Sequence, residues 1–249
     1  GLYYGYKALL CDLCRSFCFA GIFIPIFLKA ETPHPCKKSL FFKQLCSTIF
    51  LVNAVVAGLI GDFTKYAMFM FIGLCFSWVG DFLLHVSPKP GFFVAGLFSF
   101  LIGHIFYFMS YCRAFAVLFP QHPLFTMPEI IIYIALVVCV MAAMFFIFKV
   151  HFGKMLFPCC LYAATIAAMG VKAFALAREI ISTGVIANAV FTGIMLMLGA
   201  VCFIISDFTL SLLTFQKDIE KHGALRQVNI WTYFYAQMFL GVTIFFITA

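Results

Sequence analysis

The chain of 249 residues is 65% hydrophobic and only 10% charged. An ordinary soluble domain is about half apolar and about a quarter charged, and a single core of this length cannot bury so many apolar side chains. The composition therefore excludes soluble, disordered and nucleic-acid-binding proteins. The formal net charge of +7 comes from Lys and Arg residues that mostly flank apolar runs, which is typical of membrane topology. We predict a polytopic membrane protein of the all-α class.

The apolar runs give the predicted helices. A helix needs roughly 20 apolar residues to cross the hydrocarbon core, and runs of about this length predict eight spans, at 7–28, 42–60, 65–86, 91–112, 129–149, 154–176, 188–214 and 229–248. The gaps are too short for a soluble domain, so we expect one integral membrane domain over residues 1–249. We expect no cleavable signal peptide, and the first residue, Gly1, indicates a trimmed chain.

The distribution of basic residues predicts the orientation, because Lys and Arg favour cytosolic loops. One side carries ten of them: Lys29, Lys37, Lys38, Lys43, Lys89, Lys149, Lys154, Lys217, Lys221 and Arg226. The other side carries four: Lys7, Lys65, Arg113 and Arg178. We therefore expect both termini to be lumenal or extracellular.

Two carboxylates fall within predicted spans, Asp81 in the third and Asp207 in the seventh. A carboxylate inside the bilayer is costly and is usually paired or functional. A single one is explained equally well by a lysine partner or a helix cap, but two at similar depth favour a shared site. With the orientation above, both lie in the cytosolic half of the membrane.

Other polar side chains are expected near the same depth. His104 and Tyr107 are three residues apart and share one face of the fourth helix, and Tyr233 and Gln237, four apart, share a face of the eighth. Lys43 opens the second span from the cytosolic side. Taken alone, each of these residues can be explained as a buried packing residue. Lys43 can be explained as a side chain that extends to the membrane interface. Together they predict a polar site formed by five helices.

Four motifs in chain order carry a resemblance to a known family. They are Gly80-Asp81, then Gly96, Phe100, His104 and Tyr107 at the spacing G-x3-F-x3-H-x2-Y, then Phe203-Ile204-Ile205-Ser206-Asp207, and Thr232-Tyr233-Phe234-Tyr235-Ala236-Gln237. Lys43 also stands at the expected distance before Gly80-Asp81. With these motifs the sequence resembles the YhhN family of multi-pass proteins, whose animal members are lysoplasmalogenases. It departs from the family in lacking a proline soon after Lys43 and in reading Tyr233-Phe234 where Tyr-Tyr is common.

The resemblance implies hydrolysis of the vinyl ether bond of 1-alkenyl lysophospholipids. The products would be a fatty aldehyde and glycerophosphoethanolamine or glycerophosphocholine. It also implies eight spans, residence in the endoplasmic reticulum membrane, and no metal or other cofactor. The expected partners are the lysophospholipid substrate and membrane lipid, with no nucleic acid, and the sequence does not specify an oligomeric state.

The chemistry of a vinyl ether suits two carboxylates in different environments. Protonation of the alkene carbon gives an oxocarbenium ion that water captures, so the site needs an acid, a nearby negative charge and a base. Paired carboxylates in glycoside hydrolysis meet similar demands. We expect Asp81 and Asp207 to divide these roles in either order, and His104 to orient a carboxylate or move a proton. The expected substrate-binding residues are Lys43, Tyr107, Ser206, Tyr233 and Gln237.

Three other functions compete with this hypothesis. A proton-coupled transporter or lipid carrier would use the same carboxylates as a relay, and would favour inverted repeats, which the sequence does not display. A zinc hydrolase of the alkaline-ceramidase kind needs about three His ligands, whereas only His85 and His104 lie deep enough. A structural or lipid-binding protein descended from an enzyme is the third alternative, and the retained Asp pair argues against it.

Overall fold

The computed structural model describes residues 2–31, 37–216 and 223–249. Within these ranges the chain forms eight α-helices and no strand, which confirms the all-α class. The helices are α1 (Leu2–Glu31), α2 (Lys37–Ile60), α3 (Lys65–Val86), α4 (Pro90–Leu118), α5 (Met127–Ala142), α6 (Leu156–Thr183), α7 (Ala189–Phe215) and α8 (Gly223–Phe246). A π-helical turn (Ala143–Ile147) continues α5, and a short 3-10 turn (Gly153–Met155) precedes α6.

Six of the helices in the described part of the chain are long and apolar enough to cross a membrane. They are α2, α3, α4, α5 with its π-helical turn, α6 with its 3-10 turn, and α7. The chain is therefore an integral membrane protein. The helices α1 and α8 occupy the places of the first and last predicted spans, and α8 is less apolar than the six helices above. In α8 the cause is a set of polar side chains, including Asn229 and Gln237, which are buried inside the bundle.

Local signals explain where several helices begin and end. At the start of α5, Thr126 and Glu129 form a capping box, in which each side chain accepts a hydrogen bond from the backbone of the other. The helix α6 ends where Gly184 adopts a left-handed conformation, with φ of 62°. The helix α4 runs to Leu118, past the predicted end at residue 112, because the next helix-breaking residue is Pro120.

The sidedness of the protein stays a prediction. The loops at 32–36 and 217–222 lie outside the described residues, and with them Lys217 and Lys221, which contributed to the count of basic residues. That the whole chain forms one membrane domain also stays a prediction.

Six helices close into a ring. In the order α2, α3, α4, α6, α7 and α8, each packs against the next, and α8 packs back against α2. The helix α1 lies outside this ring against α2 and α8, and α5 lies outside it against α6. Side chains that point inward from the six helices of the ring therefore meet in one interior.

Glycines bring α3 and α4 especially close together. A Cβ atom on Gly80 would lie 2.7 Å from the ring of Phe100, and a Cβ atom on Gly73 would collide with the ring of Tyr107. Because small residues let helices approach closely within a membrane, these aromatic rings occupy the space that other side chains would fill. This packing fixes Tyr107 at the centre of the ring of helices.

Candidate active site

Asp81 is held at the interior of the ring by groups from two other helices. Its Oδ1 atom lies 3.3 Å from Nζ of Lys43 on α2. Its Oδ2 atom accepts hydrogen bonds from the Ser47 hydroxyl at 2.6 Å and from the Tyr233 hydroxyl on α8 at 2.7 Å. The residue is 1% exposed. Both oxygens of this carboxylate are thus engaged, one of them by a buried counter-ion.

Asp207 has a different set of partners. Its Oδ2 atom accepts a hydrogen bond from the Tyr162 hydroxyl on α6 at 2.7 Å and lies 3.2 Å from Nε2 of His104 on α4. In the described part of the chain, no Lys or Arg forms an ion pair with this carboxylate. The two carboxylates therefore differ in charge environment, since only Asp81 has a permanent cation beside it.

The imidazole of His104 connects the Asp207 group to the packed interior. Its Nε2 atom also lies 3.1 Å from the Tyr162 hydroxyl, and its ring contacts the edge or face of Phe203 and Tyr107. Its buried Nδ1 atom has no hydrogen-bond partner among the described residues. A proton on Nε2 lets the imidazole donate to the Asp207 carboxyl, with Nδ1 as an acceptor.

The side chains of Tyr107 and Gln237 form a hydrogen bond in the interior of the ring of helices. The Tyr107 hydroxyl donates to Oε1 of Gln237 at 2.6 Å and lies 3.0 Å from the Ser77 hydroxyl. Both Tyr107 and Gln237 are completely buried. Substrate binding by these two residues stays a prediction, and the hydrogen bonds give them a direct part in holding α3, α4 and α8 together.

Ser206 lies beside Asp207 and is tied to α8. Its carbonyl oxygen accepts a hydrogen bond from Nδ2 of Asn229 at 2.8 Å, and its hydroxyl oxygen accepts from the same nitrogen at 3.2 Å. This amide bridges α7 and α8 next to the carboxylate. Ser206 is 1% exposed. The hydrogen bonds from Asn229 fix the position of its hydroxyl.

Both carboxylates face one small cavity of about 40 Å³. Its walls are formed by Lys43, Asp81, Leu84, Phe100, Ser206, Asp207, Leu210, Asn229, Ile230 and Tyr233. A cavity needs at least about 10–15 Å³ to hold a water, so this one has room for at least one water beside the two carboxylates. The geometry brings together in this space the ion-paired Asp81, the hydroxyl-bonded Asp207 and a lysine ammonium.

Sequence reasoning missed four members of the site. Tyr162 supplies the closest donor to Asp207, and Ser47 the closest donor to Asp81. Asn229 bridges Ser206, and the Nδ1 atom of His85 lies 3.3 Å from the Lys43 ammonium. The position of Ser47, four residues after Lys43 on the same helix face, was a usable signal.

The side chains that the structure describes do not gather three or more His, Cys, Asp or Glu residues into a group able to hold a metal ion. The polar interior is instead built from a lysine, two carboxylates, hydroxyls, amides and one imidazole. Such a set is suited to proton transfer and to binding a polar, phosphate-bearing molecule.

Comparison with known proteins gives one match. A profile described as the YhhN family matches residues 39–244, which is most of the chain and contains every residue of the polar interior described above. No curated protein and no solved structure matches the chain.

Proposed function

The chain belongs to the YhhN family, and we propose that it hydrolyses the vinyl ether bond of lysoplasmalogens. These lipids carry one 1-alkenyl chain on a glycerophosphoethanolamine or glycerophosphocholine. Water and the lipid give a fatty aldehyde and the free glycerophospho compound. The observation that carries this proposal is that Asp81 and Asp207, with different partners, line the same cavity.

The different partners support different roles for the two carboxylates. Asp81, with Oδ1 beside the Lys43 ammonium and Oδ2 accepting two hydrogen bonds, serves as the ionised group. Asp207 receives its donors on Oδ2, which leaves Oδ1 to carry a transferable proton. Asp207 is therefore the acid, and Asp81 supplies the negative charge that stabilises a cation.

The reaction then proceeds by protonation of carbon, attack of water and collapse of a hemiacetal. Protonated Asp207 gives its proton to the alkene carbon distant from the ether oxygen, and the adjacent carbon becomes an oxocarbenium ion. The Asp207 carboxylate next removes a proton from the water that attacks this ion, as a single carboxyl does in retaining glycosidases. In the collapse of the hemiacetal, the C–O bond to glycerol breaks, the leaving oxygen takes the proton from Asp207, and the hemiacetal hydroxyl returns its proton to Asp207 as the aldehyde forms. His104 and Tyr162 orient Asp207 throughout.

The headgroup fits the end of the site that contains Lys43. An ammonium is a common partner for phosphate, and the His85 ring and the Asn229 amide lie close by. Asp81 and Asp207 lie in the last third of α3 and α7, near the ends that the distribution of basic residues assigns to the cytosol. We place the reaction in the cytosolic leaflet of the endoplasmic reticulum membrane.

Aldehyde release by the purified protein tests the function. The substrate is 1-alkenyl lysophosphatidylethanolamine, and the matched chemical control is the 1-alkyl ether with the same chain and headgroup. We expect aldehyde from the alkenyl lipid alone, with and without EDTA, because only the alkene carbon accepts a proton. A folded protein that releases no aldehyde would contradict the proposal and favour a proton-coupled carrier.

A further inference from the structure

A second cavity lies on the other side of Asp207. It measures about 90 Å³ and is formed by side chains from α4, α5, α6 and α7. Its lining is almost entirely apolar, with Leu97, Leu136, Ile166 and Phe208 among the contributing residues. Asp207 is part of this lining and also of the polar cavity. The two spaces therefore meet at one carboxylate.

The apolar cavity exists because α5 stands apart from the ring of helices. The helix α5 packs along α6, while large apolar side chains of α4 and α7, such as Leu97 and Ile204, point into the space beside it. Small residues on α6, Ala163 and Ala167, widen that space. Much of the outer surface of α5 is exposed and apolar, including Ile131, so the helix faces lipid.

We propose that this cavity binds the hydrocarbon chain of a single-chain lipid whose polar head occupies the Lys43 end of the site. The proposal rests on the proposed function for the identity of the head, and it adds where the chain lies. A lipid of this kind has one polar and one apolar end, and Asp207 lines the junction between a polar and an apolar cavity. The bond at the junction of head and chain would then meet the carboxylate.

The size of the cavity limits how much of the chain it holds. The apolar cavity measures about 90 Å³ and is bounded by side chains along α5 and α6. Ala167 lies five residues beyond Tyr162, about 7–8 Å further along α6 and away from the carboxylate. Ala167 and, on α5, Val137 both line the cavity. Larger side chains at these positions would shorten the space for the chain.

Binding of uncleavable lipids tests this proposal without relying on catalysis. The probes are hexyl, octyl, decyl and dodecyl 1-O-alkyl glycerophosphoethanolamines, used below their micelle concentrations in isothermal titration calorimetry. In the unchanged protein, each added methylene tightens Kd about fourfold until the cavity is full, after which Kd levels off. In Ala167→Phe, and independently in Val137→Phe, we expect Kd to level off at a shorter chain.

The matched control is Ala164→Phe, on the same helix as Ala167, half-buried and not part of the cavity lining. It should retain the chain-length profile of the unchanged protein. The Val137→Phe variant lies on the loosely packed α5, so it keeps the test open if Ala167→Phe does not fold. An unchanged profile in a folded cavity variant would overturn the proposal, as would a shortened profile in the Ala164→Phe control.

The two proposals fail in different ways. If the cavity variants bind shorter chains but no assay detects aldehyde release, the chain-binding site is retained and the vinyl ether reaction is overturned. Aldehyde release with no change of chain preference in either cavity variant would retain the reaction and overturn the chain site.

Discussion

Lys43 and Asp81, on different helices, form a buried ion pair with Nζ 3.3 Å from Oδ1. Both side chains are almost fully buried, at 7% and 2% exposed. Removing one partner of such a pair leaves an uncompensated charge away from water. The pair therefore contributes to the stability of the bundle at the same place where it defines the polar cavity.

The Lys43→Met variant tests this contribution. We expect it to lower the free energy of unfolding by about 3–5 kcal/mol, because Asp81 loses its counter-ion. Adding Asp81→Asn should recover a large part of that loss, so the two changes are not additive. Unfolding of the detergent-solubilised protein measures both effects, with Lys38→Met on the exposed start of α2 as control. Additive losses would contradict a direct pairing.

Tyr162 is expected to act through Asp207. The Tyr162→Phe variant keeps the ring and removes the 2.7 Å hydrogen bond, which at about 1–1.4 kcal/mol corresponds to a roughly fivefold to tenfold lower kcat. KM should change little, because the hydroxyl contacts the carboxylate rather than the headgroup. Steady-state aldehyde release measures both constants. The control is Tyr133→Phe on α5, and an equal effect there would remove the special role of Tyr162.

His104 is expected to position Asp207 by donating a hydrogen bond. His104→Gln retains an amide donor near the carboxylate, whereas His104→Phe retains only an aromatic ring of similar size. We expect His104→Gln to keep a measurable part of the turnover and His104→Phe to lose more than tenfold, because only the former can replace the 3.2 Å contact. Equal turnover in the two variants would show that the contact does not serve the reaction.

The close approach of α3 and α4 gives a prediction about stability. In Gly73→Ala the new Cβ atom would collide with the Tyr107 ring, so the ring or the helix must shift. Overpacking of this kind costs about 1–3 kcal/mol, which should appear as a lower midpoint of thermal unfolding. Gly91→Ala, where the added atom meets open space, is the matched control. An unchanged midpoint in Gly73→Ala would show that the Tyr107 ring or the helix shifts without cost, which would contradict the prediction.

Much of the fold was predictable because it follows from hydropathy. The places of all eight helices match apolar runs, and errors at their ends arise where no breaking residue marks the boundary, as for α4 at Leu118. The helix α8 shows where hydropathy alone is a poor guide. Its Asn229 and Gln237 lower its hydropathy, yet they are buried in the bundle rather than exposed to lipid.

The site was predictable where two polar residues lie on one helix face, and not where contact depends on how helices rotate. Tyr162 has only apolar and small neighbours in sequence, and its contact with Asp207 depends on how α6 packs between α4 and α7. Lys172 on α6 is a second example. Its ammonium lies 3.3 Å from Glu129 at the start of α5 and over the Phe115 ring of α4, and both contacts depend on how these helices pack.

The central claim is that two carboxylates facing one cavity carry out the hydrolysis together. The most direct measurement is aldehyde release from 1-alkenyl lysophosphatidylethanolamine by Asp81→Asn, Asp207→Asn and the control Asp62→Asn, an exposed aspartate in the turn before α3. We predict that Asp62→Asn retains full turnover and that each of the other two, shown to be folded, loses at least a hundredfold. Near-normal turnover in either Asp81→Asn or Asp207→Asn would contradict the paired mechanism.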